Sequence, residues 1–520
     1  MRIGIDVGGT HTDAVLLNGD DVLAATKALT SADVVSGITN ALDTIIADSG
    51  VTPASITAVM IGTTQFTNAI VERRQLSEVA AIRIASPAGK GLPPLVDWPE
   101  DIAAAMGGHA YMLEGGYLYD GVPLAKLDSD AVDRVIADLQ AKGLKHIAIG
   151  SAFSPMNSEP EQLVADRIRA AIPHARITLS HVFNKLGLLE RENAAILNAS
   201  LLSFADQVVS SFLSALSQRG LKCPVFISQN DGTLMNADFV REYPALTFAS
   251  GPTNSLRGAY KLTGLEDAIV VDIGGTTSDI GVLKGGFPRE SNSIIKVGGV
   301  RTNFRMPDIL AVGLGGGSLV MEGGSKIGPQ SVGHRLVEEG LVFGGDTLTT
   351  TDIIVASGAQ SIGDTSRVAG LDPALVDAAL TEMHRMLDDA IEMMKPGGKA
   401  MPVILVGGGS VLVTRGLSAA SEIYRPEHAG VANAIGAAIA QIGGEAERMV
   451  SFAEISREDA IEEITTAAKA KAVTAGADPG SLRTAEIEET AIPYMGEGAF
   501  RIAVKVIGEI KSLSMEGSAA

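Results

Sequence analysis

At 520 residues the chain is longer than one hydrophobic core comfortably serves, and 46% hydrophobic with 20% charged residues describes a well-packed protein of roughly two to four domains. Its net charge of −20 excludes a general nucleic-acid binder, which needs basic surface over the phosphates, but allows a nucleotide held by backbone N–H groups and a metal ion. Cys223 is the only cysteine and the eight histidines include no i, i+4 pair, so neither an intrachain disulfide nor a dedicated zinc site is expected. No basic, then apolar leader follows Met1 and no apolar run reaches the ~20 residues of a bilayer span, so the expectation is a cytoplasmic protein with no membrane partner.

Taken in chain order, RIGIDVGGTHTDAVLL (Arg2 to Leu17) predicts a strand, a Gly-Gly-Thr turn and a second strand, the first β-branched enough for burial on both faces. Residues 31–50 predict a helix opened by Ser31 or Asp33 and closed at Gly50. SITAVMIGTTQFTNAIVERR (Ser55 to Arg74) predicts strand, glycine turn and helix. The Pro/Gly-rich run from Ser86 predicts a surface excursion over 86–125, in which Trp98 is a candidate exposed anchor for a partner. Helix and strand alternate through 128–150 and again to 180, and a long helix runs from about Gly187 to Gly220. Strand PVFISQ, the turn NDGTL and a second hairpin, AIVVDIGGTTSDIGVL (Ala268 to Leu283), follow. Beyond a glycine-dense stretch, 313–346, come a helix over 372–395, the strand MPVILV with its GGGS loop, and the apolar helix GVANAIGAAIAQIG. A charged helix over 456–476, most simply a solvated face, and two strands close the chain. The alternation assigns the class α/β.

The two hairpins are the same phrase. Aligning Asp6 on Asp272 matches Gly8, Gly9, Thr10, Thr12 and Asp13 with Gly274, Gly275, Thr276, Ser278 and Asp279, and a repeat this alike signals duplication. A bare Gly-Gly-Thr turn offers N–H groups and hydroxyls to a phosphate, so Thr10, Thr12, Thr276 and Thr277 are candidate phosphate contacts. The strand-end carboxylates Asp6 and Asp272 are placed to reach a hydrated Mg²⁺ bridging phosphate oxygens, and Asp13 and Asp279 to position water or brace the turn. The loop Gly407, Gly408, Gly409 and Ser410 after a buried strand suits the flat base and sugar of a nucleotide. Thr63, Thr64 and Asn68 stand between a strand and a helix start, where an anionic intermediate can be held or where they simply cap the helix. Arg73 and Arg74 are candidates for a carboxylate, His11 for packing or gating the first turn, and Cys223 for a small buried apolar residue.

These turns, in this order, resemble the actin, hexokinase and Hsp70 superfamily of ATP-binding proteins. More narrowly, the chain resembles the A-type subunits of the hydantoinase/oxoprolinase family, in a short form. GTTQFTNAIVERR (Gly62 to Arg74), SQNDGTL (Ser228 to Leu234), ASGPTNSLRGA (Ala249 to Ala259), MPDILAVGLGGGSLV, IGPQSVGH and TTTDIIVASG carry that likeness in family order. The resemblance implies two duplicated actin-like (ribonuclease H-like) domains with mixed sheets flanked by helices and an ATP cleft between them. The expected division is 1–185, then 186–445, with 446–520 packing back on the core. It implies an ATP- and Mg²⁺-dependent hydrolase, or one subunit of a homo- or hetero-oligomeric hydrolase. Such an enzyme opens a cyclic amide or imide, such as a hydantoin or 5-oxoproline-like lactam, by phosphorylating its carbonyl oxygen. Gly315, Gly316, Gly317 and Ser318, the AGGGS-like loop, are then expected at the substrate, with Asp308 before it as a catalytic residue. Leu310 and Ala311 stand where larger relatives usually carry a histidine, and the family's cysteine-containing run is absent, so those two roles do not transfer. The competing readings are a small-molecule kinase of the same superfamily and an ATP-driven activator or chaperone.

Overall fold

The computed structural model describes residues 1–8, 11–29, 34–119, 121–183, 187–291, 294–492 and 499–511. Two mixed sheets frame it. In the first, strands Asp21–Leu29, His11–Asn18, Arg2–Val7, Ala58–Thr63 and Val225–Ser228 lie side by side in that order. In the second, Phe287–Pro288, Ser278–Lys284, Ala268–Ile273, Met401–Val406 and Ala420–Tyr424 repeat it. Each begins with an antiparallel hairpin whose first strand also pairs in parallel with a strand reached through helical crossovers, as parallel pairing requires. The registers coincide as well: Asp6 sits opposite Asp13, and Asp272 opposite Asp279. The expected pair of mixed-sheet, helix-flanked domains is therefore present, and the duplication extends beyond the motif to the strand order.

The division along the chain differs from the expected 1–185, 186–445 and 446–520. Val225–Ser228 belongs to the first sheet, which then continues through Leu234–Asn236, Ile442–Ser451, Ala499–Gly508 and Arg483–Ala491. The first sheet is thus completed by residues that follow the second domain, a pairing that local sequence pattern does not carry. The apolar helix expected from Gly430 to Gly443 spans only Ala432–Ile439, and IGGEAERMVS is a strand. Helix Arg457–Thr474 packs onto the added strands through Ala460, Ile464, Ala468 and Ala472.

Between Thr63 and the long helix Leu188–Gln218 lies an all-parallel sheet, ordered His109–Glu114, Val79–Ser86, His146–Ser151 and Arg176–Leu179, with helices Ser129–Lys142 and Glu159–Ala171. The expected excursion over 86–125 is therefore partly regular: it supplies helix Glu100–Ala105 and the edge strand. Trp98 is no exposed anchor; it is buried, with Nε1 donating to Asn193 Oδ1 at 2.8 Å. The long helix is apolar and long enough to cross a membrane, but Arg191 to Leu202 are all buried, as befits a core helix. Its Glu192 accepts two hydrogen bonds from the buried Arg83 and so ties the inserted sheet to the first core.

Candidate active site

The turns close alike. Gly8 N donates to His11 O at 3.0 Å and Gly274 N to Thr277 O at 2.8 Å, each strapping a two-residue loop. Gly9 and Thr10, the first loop's tip, lie outside the described residues, as do Ser31 and Asp33. In the second turn Gly274 and Thr277 are exposed, and Gly275 and Thr276 half-buried.

Two helices draw the hairpins onto one polar cleft. Helix Ser250–Thr263 presents consecutive residues to both: Asn254 Nδ2 donates to Asp6 Oδ1 at 3.1 Å, and Ser255 Oγ to Asp272 Oδ2 at 2.5 Å. From helix Ala432–Ile439, Asn433 Nδ2 donates to Asp6 Oδ2 at 3.0 Å and to Asp13 Oδ2 at 2.9 Å. Lys27, across the hairpin, donates to Asp13 Oδ1 at 2.5 Å. The helices meet at backbone contact. A Cβ on Gly258 would lie 1.8 Å from Ala432 O, and one on Gly436 1.8 Å from Asn254 O. Gly4 lets helix Ala432–Ile439 settle on the first strand in the same way.

The carboxylates are electrostatically crowded. Burial, with Asp13 and Asp272 nearby, pushes Asp6 up to about 6 despite the hydrogen bonds from Asn254 and Asn433. Burial also raises Asp272, against the hydroxyl of Ser255 and the ammonium of Lys27. Asp279 receives no hydrogen bond from a described residue, and burial with the neighbouring Asp272 pushes it up to about 7. The twin pairs thus differ: every oxygen of Asp6 and Asp13 already accepts a hydrogen, whereas Asp279 is open. Burial, then Lys27, lowers His11, keeping its ring neutral beside the first turn.

The glycine loop lies beside Asp272. Gly407 has φ 81°, and a Cβ there would fall 2.2 Å from Asp272 Oδ1. Gly409 packs against Ile273 and Gly274, and Gly408 approaches Lys27. Ser410 borders an open cavity of about 460 Å³ lined also by Gln360, Thr414, Arg425 and Pro426. Thr414 also contributes a buried hydroxyl oxygen with no hydrogen-bond partner among the described residues.

Other expected residues fall elsewhere. Thr12 is fully buried with its hydroxyl toward Gly37, and its counterpart Ser278 donates inward to Leu314 O, so strand alternation turns Thr12 away from a phosphate. Gly315, Gly316, Gly317 and Ser318 are buried and brace the second turn: Gly316 N donates to Gly274 O and Gly317 N to Gly275 O. Ser318 Oγ accepts from Gly315 N, leaving the loop no free face for a substrate. Asp308 precedes strand Ile309–Val312, whose far end, Val312, pairs with Ser278 at the turn. Asp308 therefore stands about 13 Å from the turn along the strand and is ion-paired to Arg289 at 2.7 Å. Thr63 is buried at its strand end, Thr64 occupies the N-cap of helix Gln65–Glu72 and donates to Val7 O, and Asn68 is exposed. Arg73 is a staple, bound to Asp101 and Gly298 O, while Arg74 is exposed; Cys223 is half-buried. Asn254, Ser255, Asn433 and Lys27 escaped the sequence reading, although ASGPTNSLRGA contains the first two. Among the described residues no three His, Cys, Asp or Glu side chains converge as a ready metal cage.

Two copies of one mixed-sheet domain, with matched glycine hairpins drawn onto a shared polar cleft, define the actin-like class of α/β proteins. Comparison with known families then places the chain: it belongs to the hydantoinase/oxoprolinase family, matching the family's N-terminal region over residues 2–172 and the hydantoinase/oxoprolinase model over 191–359. The alpha subunit of the caprolactamase of Pseudomonas jessenii is 26% identical over 389 residues, covering 69% of this chain and 54% of that subunit. The acetophenone carboxylase gamma subunit of Aromatoleum aromaticum is 27% identical over 252 residues, covering 46% of this chain and 34% of that subunit. The chain thus spans about half the length, or less, of these curated relatives. Among solved structures, the ATP-dependent caprolactamase of P. jessenii aligns with TM-score 0.78 at 19% identity, covering 98% of this chain and 88% of that one. A nucleotide-free acetone carboxylase aligns with TM-score 0.68 at 18% identity over the same shares. The fold is theirs.

Proposed function

We propose that the chain is an ATP-dependent enzyme, or the ATP-using subunit of one, that opens a cyclic amide by phosphorylating its carbonyl oxygen. The observation that carries this reading is the clasp formed by consecutive Asn254 and Ser255, which draws the two hairpin aspartates to one cleft. ATP-dependent relatives that act on a lactam support the nucleotide and the substrate class. In this reading the turns at Gly8 and Gly274 hold the phosphates, while Gly407–Ser410 and the adjoining cavity hold the nucleoside.

Mg²⁺ fits the cleft electrostatically, because the mutually repelling buried carboxylates Asp6, Asp13, Asp272 and Asp279 outnumber the ammonium of Lys27 that neighbours them. Mg²⁺ keeps several waters and takes one or two carboxylates plus phosphate oxygens, so it needs no protein cage. Asp272 would hold it more readily than Asp6, both of whose oxygens are already engaged. When bound it would supply charge neutralisation of the phosphoryl group.

The γ-phosphoryl group passes to the lactam oxygen, releasing ADP and making the ring carbon electrophilic. Water adds, the ring C–N bond breaks to free the amine, and the acyl phosphate is hydrolysed by a second water to carboxylate and phosphate. With Asp272 alone on the metal side, Asp279, which receives no hydrogen bond from a described residue and which burial pushes up to about 7, is our candidate to accept a proton from water. Turnover of the purified chain, with any subunit that copurifies, should release one ADP and one free phosphate per ring opened. Added hydroxylamine should divert product to the hydroxamate. A stable phosphorylated product would establish the kinase reading instead.

A further inference from the structure

Lys27 ends a row of side chains that crosses the first sheet. Asp6 is paired with Asp13, and Asp13 with Lys27, in adjacent antiparallel registers, so the three share one face. It is the face that helix Ala432–Ile439 covers, through Ala434 and Ala438 against Val15 and Leu17. Lys27 stands on the edge strand, about 10 Å across the sheet from Asp6. Its side chain turns back inward, and Nζ donates to Asp13 Oδ1 at 2.5 Å.

Its reach extends beyond its own domain. Lys27 Cε lies 3.9 Å from the position a Cβ on Gly408 would take, so the stem passes over the glycine loop of the second domain where no side chain bars it. Burial raises Asp272 in the second hairpin and lowers His11 in the first turn, and in both the Lys27 ammonium adds a downward push. Its charge is thus felt on both sides of the cleft. Bracing Asp13 alone would not need this placement. Asp13 has Asn433 as a second donor, and an ion pair whose lysine side chain is 33% exposed contributes little to stability. The cleft asks more of a cation. Four aspartates already crowd it, and a triphosphate entering between the turns brings further negative charge. Lysine suits that meeting, being a compact charge with three donors on a flexible stem.

We propose that Lys27 is a phosphate-binding residue spanning the two domains: in the free protein it rests on Asp13, and on nucleotide entry it exchanges that carboxylate for phosphate oxygens lying between the turns at Gly8 and Gly274. This assignment rests on the proposed nucleotide site and deepens it. The exchange swaps one hydrogen-bond acceptor for another and transfers no proton. It also leaves Asp13 Oδ1 unclaimed only while nucleotide is bound, so the first hairpin gains an open acid on loading.

Calorimetric titration with ATP and with adenosine, in chelator and without divalent metal, separates the ammonium from Mg²⁺. Lys27→Met keeps the stem and removes the charge. It should weaken ATP binding about tenfold or more, for one lost charge-assisted hydrogen bond, and leave adenosine binding unchanged. Asp13→Asn removes the resting partner and a like charge, and should tighten ATP binding severalfold. A lysine that merely braced Asp13 would give another pattern, with both substitutions weakening ATP alike. Unfolding midpoints report whether each variant is folded. ATP binding that is unchanged in Lys27→Met, weakened in Asp13→Asn, or undetectable in the wild type without metal overturns the assignment. ATP-dependent ring opening of caprolactam, hydantoin and 5-oxoproline, assayed with Mg²⁺ on the same wild-type protein, keeps the two readings apart. Ring opening by a protein whose Lys27→Met variant binds ATP normally leaves the proposed function standing without Lys27. The expected binding pattern with no ring opening leaves Lys27 standing and removes the function.

Discussion

Gly436→Ala isolates the contact on which the cleft depends. In an isolated helix this change is favourable by about 1 kcal/mol, since alanine is the better helix former. Here the new Cβ would lie 1.8 Å from Asn254 O and 2.9 Å from Gly258 N, both backbone atoms that cannot rotate away. Restoring an ordinary contact of about 3.4 Å requires the two helices to part by roughly 1.6 Å, at an overpacking cost of about 1–3 kcal/mol. The displaced atoms include Asn254, whose bond to Asp6 is already 3.1 Å. A shift of that size takes it beyond hydrogen-bond range. Misplacement by about 1 Å costs on the order of 10²-fold in rate when catalysis is positioning. The expected outcome is a lowered unfolding midpoint and ATP turnover reduced about a hundredfold. Gly430→Ala, six residues upstream with open space around its Cβ, should leave both nearly unchanged. Thermal unfolding and steady-state ATPase assays on the two proteins decide it. A Gly436→Ala protein as stable and as active as wild type would refute the account of the helix contact.

Asp6→Ala and Asp272→Ala should each reduce ATP turnover by about 10² or more while circular dichroism stays native; normal turnover in both would remove the phosphate assignment. Asn433→Leu takes a donor from both Asp6 and Asp13, so the Asp6 carboxyl should titrate higher and the acid limb of the pH–rate profile should move up. For stability the sign is opposite to that of a salt-bridged acid. A carboxyl raised on folding stabilises most below its unfolded value, near 3.9, and that contribution is lost as pH rises through the folded value. Over pH 5.5 to 7.5 the ligand-free protein should therefore lose stability through Asp6 (about 6) and Asp279 (about 7), and Asp279→Asn should flatten the slope measured by thermal melts. In the inserted sheet, Arg83→Met strands a buried Glu192 and should cost about 3–5 kcal/mol in denaturant titrations, with Arg83→Met/Glu192→Leu recovering most of it.

Much of this was legible because it is local. The hairpins, most crossover helices and the strand that ends at Gly407 follow from β-branched runs, caps and glycine stops, and the repeat disclosed the duplication. What the pattern did not carry is of two kinds. The first is long-range pairing: Ile442–Ser451 joins a sheet begun at Arg2, and nothing near Ile442 announces it, so an apolar, glycine-bearing run passed for the end of a helix. The second is direction. Asn254, Ser255 and Asn433 are short polar residues within helices, ordinary until the helix face is known, though the glycines at 258 and 436 hinted that those faces meet a backbone. Thr12 and Gly315–Ser318 sit beside the right turns but point away from, or beneath, the cleft.

The inequality of the two aspartate pairs bears on orientation. A cleft made of two identical jaws would accept an elongated ligand equally well end for end, and half its encounters would be unproductive. In this protein one jaw has been fixed by two asparagines and a lysine, while the other keeps an unclaimed acid and has the glycine loop at its flank. Under the proposed function, divergence of the copies has thus broken the pseudosymmetry of the cleft: one hairpin is the mount and the other the working edge, giving the cleft a head and a tail.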